Sequence, residues 1–177
     1  MLKNEQVMKK KGRTTFRLFS LLLLAAICLL SAIIPLFHVL VVRDAKTNQL
    51  VWSGRVQEES PFAIRWIHSI HRSPVIEYYR VRGEHIVLIE MSFKDYGIGM
   101  NSELAPGEQL VTKDDGFHIV NMNQVFPALH LFIGQVRANH TLLFGEKEIP
   151  LASLVSPGKA VVIRVEKQSI LEKIGGY

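Results

Sequence analysis

The sequence has little cysteine and little unbalanced charge. Cys28 is its one cysteine, which excludes an intramolecular disulfide and the usual zinc site built from several cysteines. Residues 1–17 hold six Lys or Arg and one Glu, whereas residues 18–177 hold 15 Lys or Arg and 15 Asp or Glu. The net charge of +5 therefore belongs to the first 17 residues. Beyond them the composition gives no sign of the basic face that nucleic-acid binding requires, and we expect no nucleic-acid partner.

Charged residues are absent from residues 18–42, LFSLLLLAAICLLSAIIPLFHVLVV. About 20 apolar helical residues cross a bilayer, and this run exceeds the core of a typical signal peptide. We therefore predict a basic cytoplasmic tail (1–17), a transmembrane signal anchor (18–42) and an extracytoplasmic β-rich domain (43–177). The basic tail places the N-terminus in the cytoplasm of a single-pass protein of the cell membrane. Cleavage of the segment as a signal peptide is the alternative.

Helical periodicity is scarce after residue 43, where short apolar or alternating runs are separated by turn residues. That pattern is typical of an all-β sandwich or barrel. We expect one such domain of about nine strands, preceded by the N-terminal transmembrane helix. Residues 43–49 and Gly83-Glu84 are predicted to be hairpin turns, and residues 168–174 a short helix. In residues 62–69, Phe62, Ile64, Trp66 and His68 alternate and should share one face.

Polar side chains are concentrated in residues 66–79, WIHSIHRSPVIEYY. His68 and His71 would lie on opposite faces of a continuous strand but could approach each other if the strand ended near Ser69. With Glu77 they would form a two-histidine, one-carboxylate set adequate for a divalent metal. A Ser69/His71/Glu77 hydrolase arrangement lacks the strand–elbow–helix context of such enzymes. The other interpretations are a hydrogen-bonded polar cluster at a strand end and a binding surface.

Two neighbouring features leave further alternatives open. Four arginines suit either an anionic partner or a solvated sheet face: Arg65, Arg72, Arg80 and Arg82. The segment DYGIGMN (95–101) places Gly97 and Gly99 one residue apart, which fits a turn or a loop that presents backbone N–H groups. Its spacing is not that of a nucleotide-binding loop, and we predict no cofactor.

These motifs together resemble a bacterial family of domains of unknown function, the one numbered eighteen-fifty. The resemblance spans roughly residues 40–166. It is carried by His-Ser at a strand end, a following Pro and Glu, and a Phe before Gly-x-Gly. The matching positions are His68, Ser69, Pro74, Glu77, Phe93, Gly97 and Gly99. The resemblance implies an association with tripartite ATP-independent periplasmic (TRAP) transporters of the TAXI type, whose permease or solute-binding protein would be the partner.

The sequence thus predicts a membrane-anchored extracytoplasmic accessory or interaction protein. No residue is predicted to be catalytic, and enzymatic activity is left open. Candidate binding residues are His68, Ser69, Glu77, Gly97 and Gly99. The alternative function is a metal- or small-ligand-binding sensor or enzyme centred on His68 and Glu77, with His71 as a further metal ligand.

Overall fold

The computed structural model describes residues 19–27, 30, 34–35, 37–95, 103–134 and 139–169. It divides into two units, residues 38–167 and residues 1–37 with 168–177. The described strands are β1 (Phe37–Asp44), β2 (Leu50–Val56), β3 (Pro61–Ile67), β4 (Pro74–Arg82), β5 (His85–Phe93), β6 (Gln109–Lys113), β7 (Gly116–Val120), β8 (Gln124–Phe126), β9 (Leu129–Phe132), β10 (Thr141–Phe144), β11 (Lys147–Pro150) and β12 (Ala160–Gln168). A 3₁₀ helix covers Leu151–Ser153.

The strands form two sheets. The smaller has the order β2-β1-β12-β9, and the larger has the order β11-β10-β3-β4-β5-β7-β6, with β8 pairing to β5. The β1–β2, β9–β12, β3–β4, β3–β10, β4–β5, β5–β7, β5–β8, β6–β7 and β10–β11 pairs are antiparallel. Within the smaller sheet, the Arg43 guanidinium on β1 donates two hydrogen bonds of 2.8 Å to the carboxylate of Glu166 on β12.

Apolar residues of both sheets form one hydrophobic core. The smaller sheet contributes Leu40 and Val42 from β1 with Val161 and Ile163 from β12, and the larger contributes residues such as Ile64 on β3. Val, Ile and Leu dominate because branched side chains pack well on a pleated half-buried surface. The prediction of an all-β fold is confirmed, and two sheets around one core agree with a sandwich.

Several predicted local features are confirmed, one of them with a corrected start. The predicted turn 43–49 begins two residues later, since β1 runs to Asp44 and residues 45–49 connect it to β2. Gly83-Glu84 connect β4 to β5, with φ +58° at Gly83. Phe62, Ile64 and Trp66 share a face, since they pair with Tyr79, Glu77 and Val75 on β4. The expected count of about nine strands is too low, since the described residues form twelve, and β6 and β8 have no counterpart among the predicted strands. Of the predicted helix 168–174, Gln168 instead ends β12, and residues 170–174 lie outside the described residues.

Residues 19–27 are helical, within the segment predicted to be an anchor (18–42). Residues 37–42 of that segment instead belong to β1, where Leu40 and Val42 lie in the core. The predicted start of the β domain at residue 43 is therefore too late. In the described part of the chain, no helix combines the length and apolarity needed to cross a membrane. Residues 1–18, 28–29, 31–33 and 36 lie outside that part.

Candidate functional site

His68 lies just beyond the end of β3 and shapes the loop that leads to β4. Its backbone N–H donates to the carbonyl of Ser73, and its carbonyl accepts from the N–H of Arg72, each at 2.9 Å. Its buried imidazole Nδ1 accepts the backbone N–H groups of Ile70 and His71, each at 3.3 Å. The Nδ1 lone pair is thereby engaged in closing the turn, so His68 has a structural role in positioning its neighbours.

The chain turn brings together two histidines that a continuous strand would separate. β3 ends at Ile67, so the predicted strand through Ser69 is two residues too long. The rings of His68 and His71 have centroids 4.9 Å apart, and the ring centroids of Trp66 and His68 are 5.9 Å apart. Among the described residues, no group of three or more His, Cys, Asp or Glu side chains is arranged to hold a metal ion.

Glu77 lies on β4 among residues that face the core. It pairs with Ile64 across the strands, and the Tyr79 hydroxyl donates a 2.7 Å hydrogen bond to its Oε2. Burial raises the pKa of Glu77, while hydrogen bonds from Tyr79 and the Trp66 indole oppose the increase. Burial, with the adjacent Glu77 charge, also raises the pKa of Tyr79. Glu77 is therefore a half-buried carboxylate hydrogen-bonded by two neutral donors.

A cavity of about 360 Å³ opens beside this carboxylate. Its lining residues are Trp66, Ile67, Ser69, Glu77, Leu131 and His140. Ligand pockets commonly combine an apolar wall with a few convergent polar groups. This cavity combines both, since Trp66, Ile67 and Leu131 are largely apolar and Ser69, Glu77 and His140 are polar. Ser69 and Glu77, both predicted as binding residues, thus meet at one cavity. His68 is not one of these lining residues, but its ring contacts that of Trp66.

His140 is the cavity residue that sequence reasoning missed. It precedes β10, whose Thr141 pairs with Arg65 on β3, and its carbonyl accepts the N–H of Leu151 at 2.8 Å. Its Nδ1 is buried and has no hydrogen-bond partner among the described residues. Burial lowers its pKa, which favours the neutral imidazole. The long-range pairing of β3 with β10 brings it to Glu77, and no local motif marks that pairing.

The remaining predicted binding residues divide into two groups. Gly97 and Gly99 lie outside the described residues. Of the arginines considered for an anionic partner, Arg65 pairs with Glu148, and both Arg80 and Arg82 pair with Glu59. These three guanidinium groups are thus paired on the protein surface with two carboxylates, because Arg80 and Arg82 share one.

A second polar cluster surrounds His118 on β7. Its Nδ1 lies 2.6 Å from Oε1 of Glu90 on β5, and its Nε2 lies 3.0 Å from Oδ1 of Asp115. Lys113 Nζ lies 3.1 Å from the same Glu90 oxygen. Burial acts to raise the pKa of Glu90, but hydrogen bonds from His118 and Lys113 produce a net decrease. The cluster ties β5 to β7 and is best explained as a structural clamp.

Comparison with known proteins yields one match. The family described as "Domain of unknown function (DUF1850)" matches residues 62–151, just over half of the chain. Neither a curated protein nor a solved structure matches the sequence. The matched range contains His68, Ser69 and Glu77, together with the newly found His140. The chain belongs to the DUF1850 family.

Proposed function

We propose that this protein is a membrane-anchored accessory or interaction protein whose β domain lies outside the cytoplasm. The observation that carries the proposal is the exposure of the large apolar side chains described between residues 19 and 34. Their exposed fractions run from 46% to 70%: Phe19, Leu21, Leu22, Leu23, Leu24, Ile27, Leu30 and Ile34. A helix that is apolar on all sides is stable when it is buried in a protein core or in lipid. Because these apolar side chains are exposed on the protein, lipid is the environment that would bury them.

Orientation follows from the charge on either side of the apolar segment. Six Lys or Arg residues precede it in residues 1–17, and such residues favour the cytoplasmic side. Trypsin added to intact bacterial spheroplasts should therefore digest the β domain of the full chain. Protection of the domain until the membrane is permeabilised would contradict this orientation.

The proposed partner is a TRAP-type permease of the TAXI class or its solute-binding protein. The basis is the resemblance of the His-Ser, Glu and Gly-x-Gly motifs to a family with that association. Affinity capture of the tagged full chain from solubilised membranes of its native host should recover one of these components. Capture of neither would count against the partner, and an untagged chain controls for non-specific retention.

Binding of a small ligand by the β domain is the second candidate function. The supporting observation is the cavity lined by Glu77, Ser69 and His140. Burial makes the ionised form of Glu77 costly, and a ligand that forms hydrogen bonds to this carboxylate would offset that cost. Titration of the full chain with small organic probes, followed by Trp66 fluorescence, tests this function.

A further inference from the structure

The charge balance of the cavity limits what it can hold. Among the described lining residues, Glu77 is the only acidic one, and neither Lys nor Arg occurs. The hydrogen-bond donors to Glu77, the Tyr79 hydroxyl and the Trp66 indole, are both neutral. The carboxylate therefore loses hydration through burial and gains no opposite charge from the described residues, and a positively charged ligand would supply that charge.

The other polar groups in the lining can accept hydrogen bonds. A neutral imidazole has one acceptor nitrogen, and burial lowers the pKa of His140, which favours that neutral form. The hydroxyl of Ser69 can accept as well as donate, and an ionised Glu77 only accepts. A ligand that brings several N–H donors would satisfy all three residues.

Apolar groups complete the lining and favour an organic ligand over a bare ion. Ile67 and Leu131 offer apolar contact, and the Trp66 ring provides a face on which a cation is stabilised. The volume of about 360 Å³ lies near the lower end of the range of small-molecule pockets, roughly 300–1,000 Å³.

We propose that this cavity binds a small organic ammonium ion, with Glu77 as its counter-ion, Ser69 and His140 as hydrogen-bond acceptors and Trp66 as its aromatic wall. The proposal rests on the second candidate function above and names its ligand class. An anionic ligand would be repelled by Glu77, and a neutral one would leave the carboxylate without an opposite charge.

The test uses three probes that share one ring and differ in charge: benzylamine, benzyl alcohol and benzoate. The full chain is kept in non-ionic detergent with EDTA and carries Trp52→Phe, so that Trp66 is the one tryptophan that remains of the two in the sequence. Benzylamine should change Trp66 fluorescence saturably, with Kd on the order of millimolar for so small a molecule. We expect it to bind at least tenfold more tightly than benzyl alcohol, with benzoate weakest.

The variants separate charge at the site from charge elsewhere. Glu77→Gln should weaken benzylamine binding at least tenfold and change benzyl alcohol binding little. Glu84→Gln removes the same charge from an exposed residue that pairs with Lys167, outside the cavity, and should leave binding unchanged. Leu131→Phe reduces the cavity volume and should weaken the binding of all three probes. This variant locates the site even if Glu77→Gln does not fold.

The outcomes distinguish the assignment of an ammonium ligand from the more general proposal that the cavity binds a small ligand. Equal or tighter binding of benzyl alcohol or benzoate would overturn the ammonium assignment and leave a ligand-binding function standing. Unchanged benzylamine affinity in Glu77→Gln or in Leu131→Phe would also overturn the assignment. A saturable response to none of the probes would overturn both the assignment and the ligand-binding function.

Discussion

At the scale of single residues, His68 illustrates how a chemically reactive side chain serves a structural purpose. Its Nδ1 accepts two backbone N–H groups, so that loss of the ring leaves both donors without their partner. Such losses typically cost 1–3 kcal/mol when the groups are buried. One of the three candidate metal ligands is thereby explained by the turn it closes.

We predict that His68→Ala lowers the free energy of unfolding of the full chain by roughly 1–3 kcal/mol. Urea denaturation in non-ionic detergent measures it. Ser69→Ala is the matched control, since the neighbouring Ser69 is exposed and should change stability by less than about 0.5 kcal/mol. Equal effects of the two substitutions would show that the imidazole does not stabilise the loop.

Tyr79 affects Glu77 in a pH-dependent way. Tyr79→Phe removes the hydroxyl that donates to Glu77 Oε2, and therefore raises the already elevated pKa of that carboxyl further. A raised pKa in the folded state means that ionised Glu77 destabilises the folded protein. The stability lost in Tyr79→Phe is therefore largest at alkaline pH, where Glu77 is ionised, and it decreases as Glu77 becomes protonated. We expect Tyr79→Phe to lower the free energy of unfolding by roughly 1.5–3 kcal/mol at pH 8, the usual value of a hydrogen bond to a charged group, and by about half of that near pH 4.

Urea denaturation of the wild-type and Tyr79→Phe chains across this pH range measures the difference between their free energies of unfolding. The same comparison in a Glu77→Gln background is the control, since the pH dependence should disappear when residue 77 cannot ionise. A Tyr79→Phe effect that is constant with pH, or that grows toward acid, would contradict this account.

At the scale of strands and turns, sequence reasoning succeeded where neighbouring residues determine the structure. The Gly83-Glu84 turn and the shared face of Phe62, Ile64 and Trp66 follow from local conformational preference and from the alternation of side chains in a strand. Strand β6 was missed because all five of its residues are exposed, so its sequence carries no alternation between core and solvent.

The candidate site was predictable only in part for the same reason. Ser69 and Glu77 are close in sequence, and their shared cavity follows from the turn between β3 and β4. His140 comes more than 60 residues later and reaches the cavity through the pairing of β10 with β3. Pairing between distant strands depends on the packing of the whole sheet, which no short motif specifies.

The turn between β6 and β7 provides a prediction about backbone geometry. Gly116 has φ +136°, and a Cβ at this position would approach the carbonyl oxygen of Phe93 to 2.5 Å. Gly83 has φ +58°, and a Cβ added there would meet no atom within 4 Å. Gly116→Ala therefore adds a backbone clash to the conformational strain, whereas Gly83→Ala adds strain alone.

We expect Gly83→Ala to destabilise the protein by roughly 1 kcal/mol and Gly116→Ala by roughly 2–4 kcal/mol. Urea denaturation of the two single variants makes the comparison, and Gly83→Ala serves as the matched control. A Gly116→Ala effect no larger than that of Gly83→Ala would mean that the Phe93 carbonyl moves away without cost.

At the scale of the whole molecule, the proposed functions depend on two separate parts of the chain. In the proposal, the apolar segment holds the protein in a membrane and the cavity of the β domain binds the ligand. Residues 37–42 belong to β1, so the segment ends before the β domain, and none of the described cavity residues lies in residues 18–36. Substitutions in the two parts should therefore have separable effects. Loss of membrane attachment need not alter ligand binding, and loss of ligand binding need not alter attachment.

We predict that the full chain stays with the membrane pellet after alkaline carbonate extraction, and that Leu22→Arg with Leu24→Arg releases it. An arginine costs about 2.5–3.5 kcal/mol at the centre of a spanning helix and less toward its ends, and these two arginines would also shorten the uncharged apolar run. Val125→Arg with Phe132→Arg is the matched control, since it adds the same charge at exposed apolar residues of the β domain. Release of the wild-type chain by carbonate, or retention of the Leu22/Leu24 variant, would contradict anchoring through this segment. Release of the control variant would instead show that the β domain itself holds the protein to the membrane.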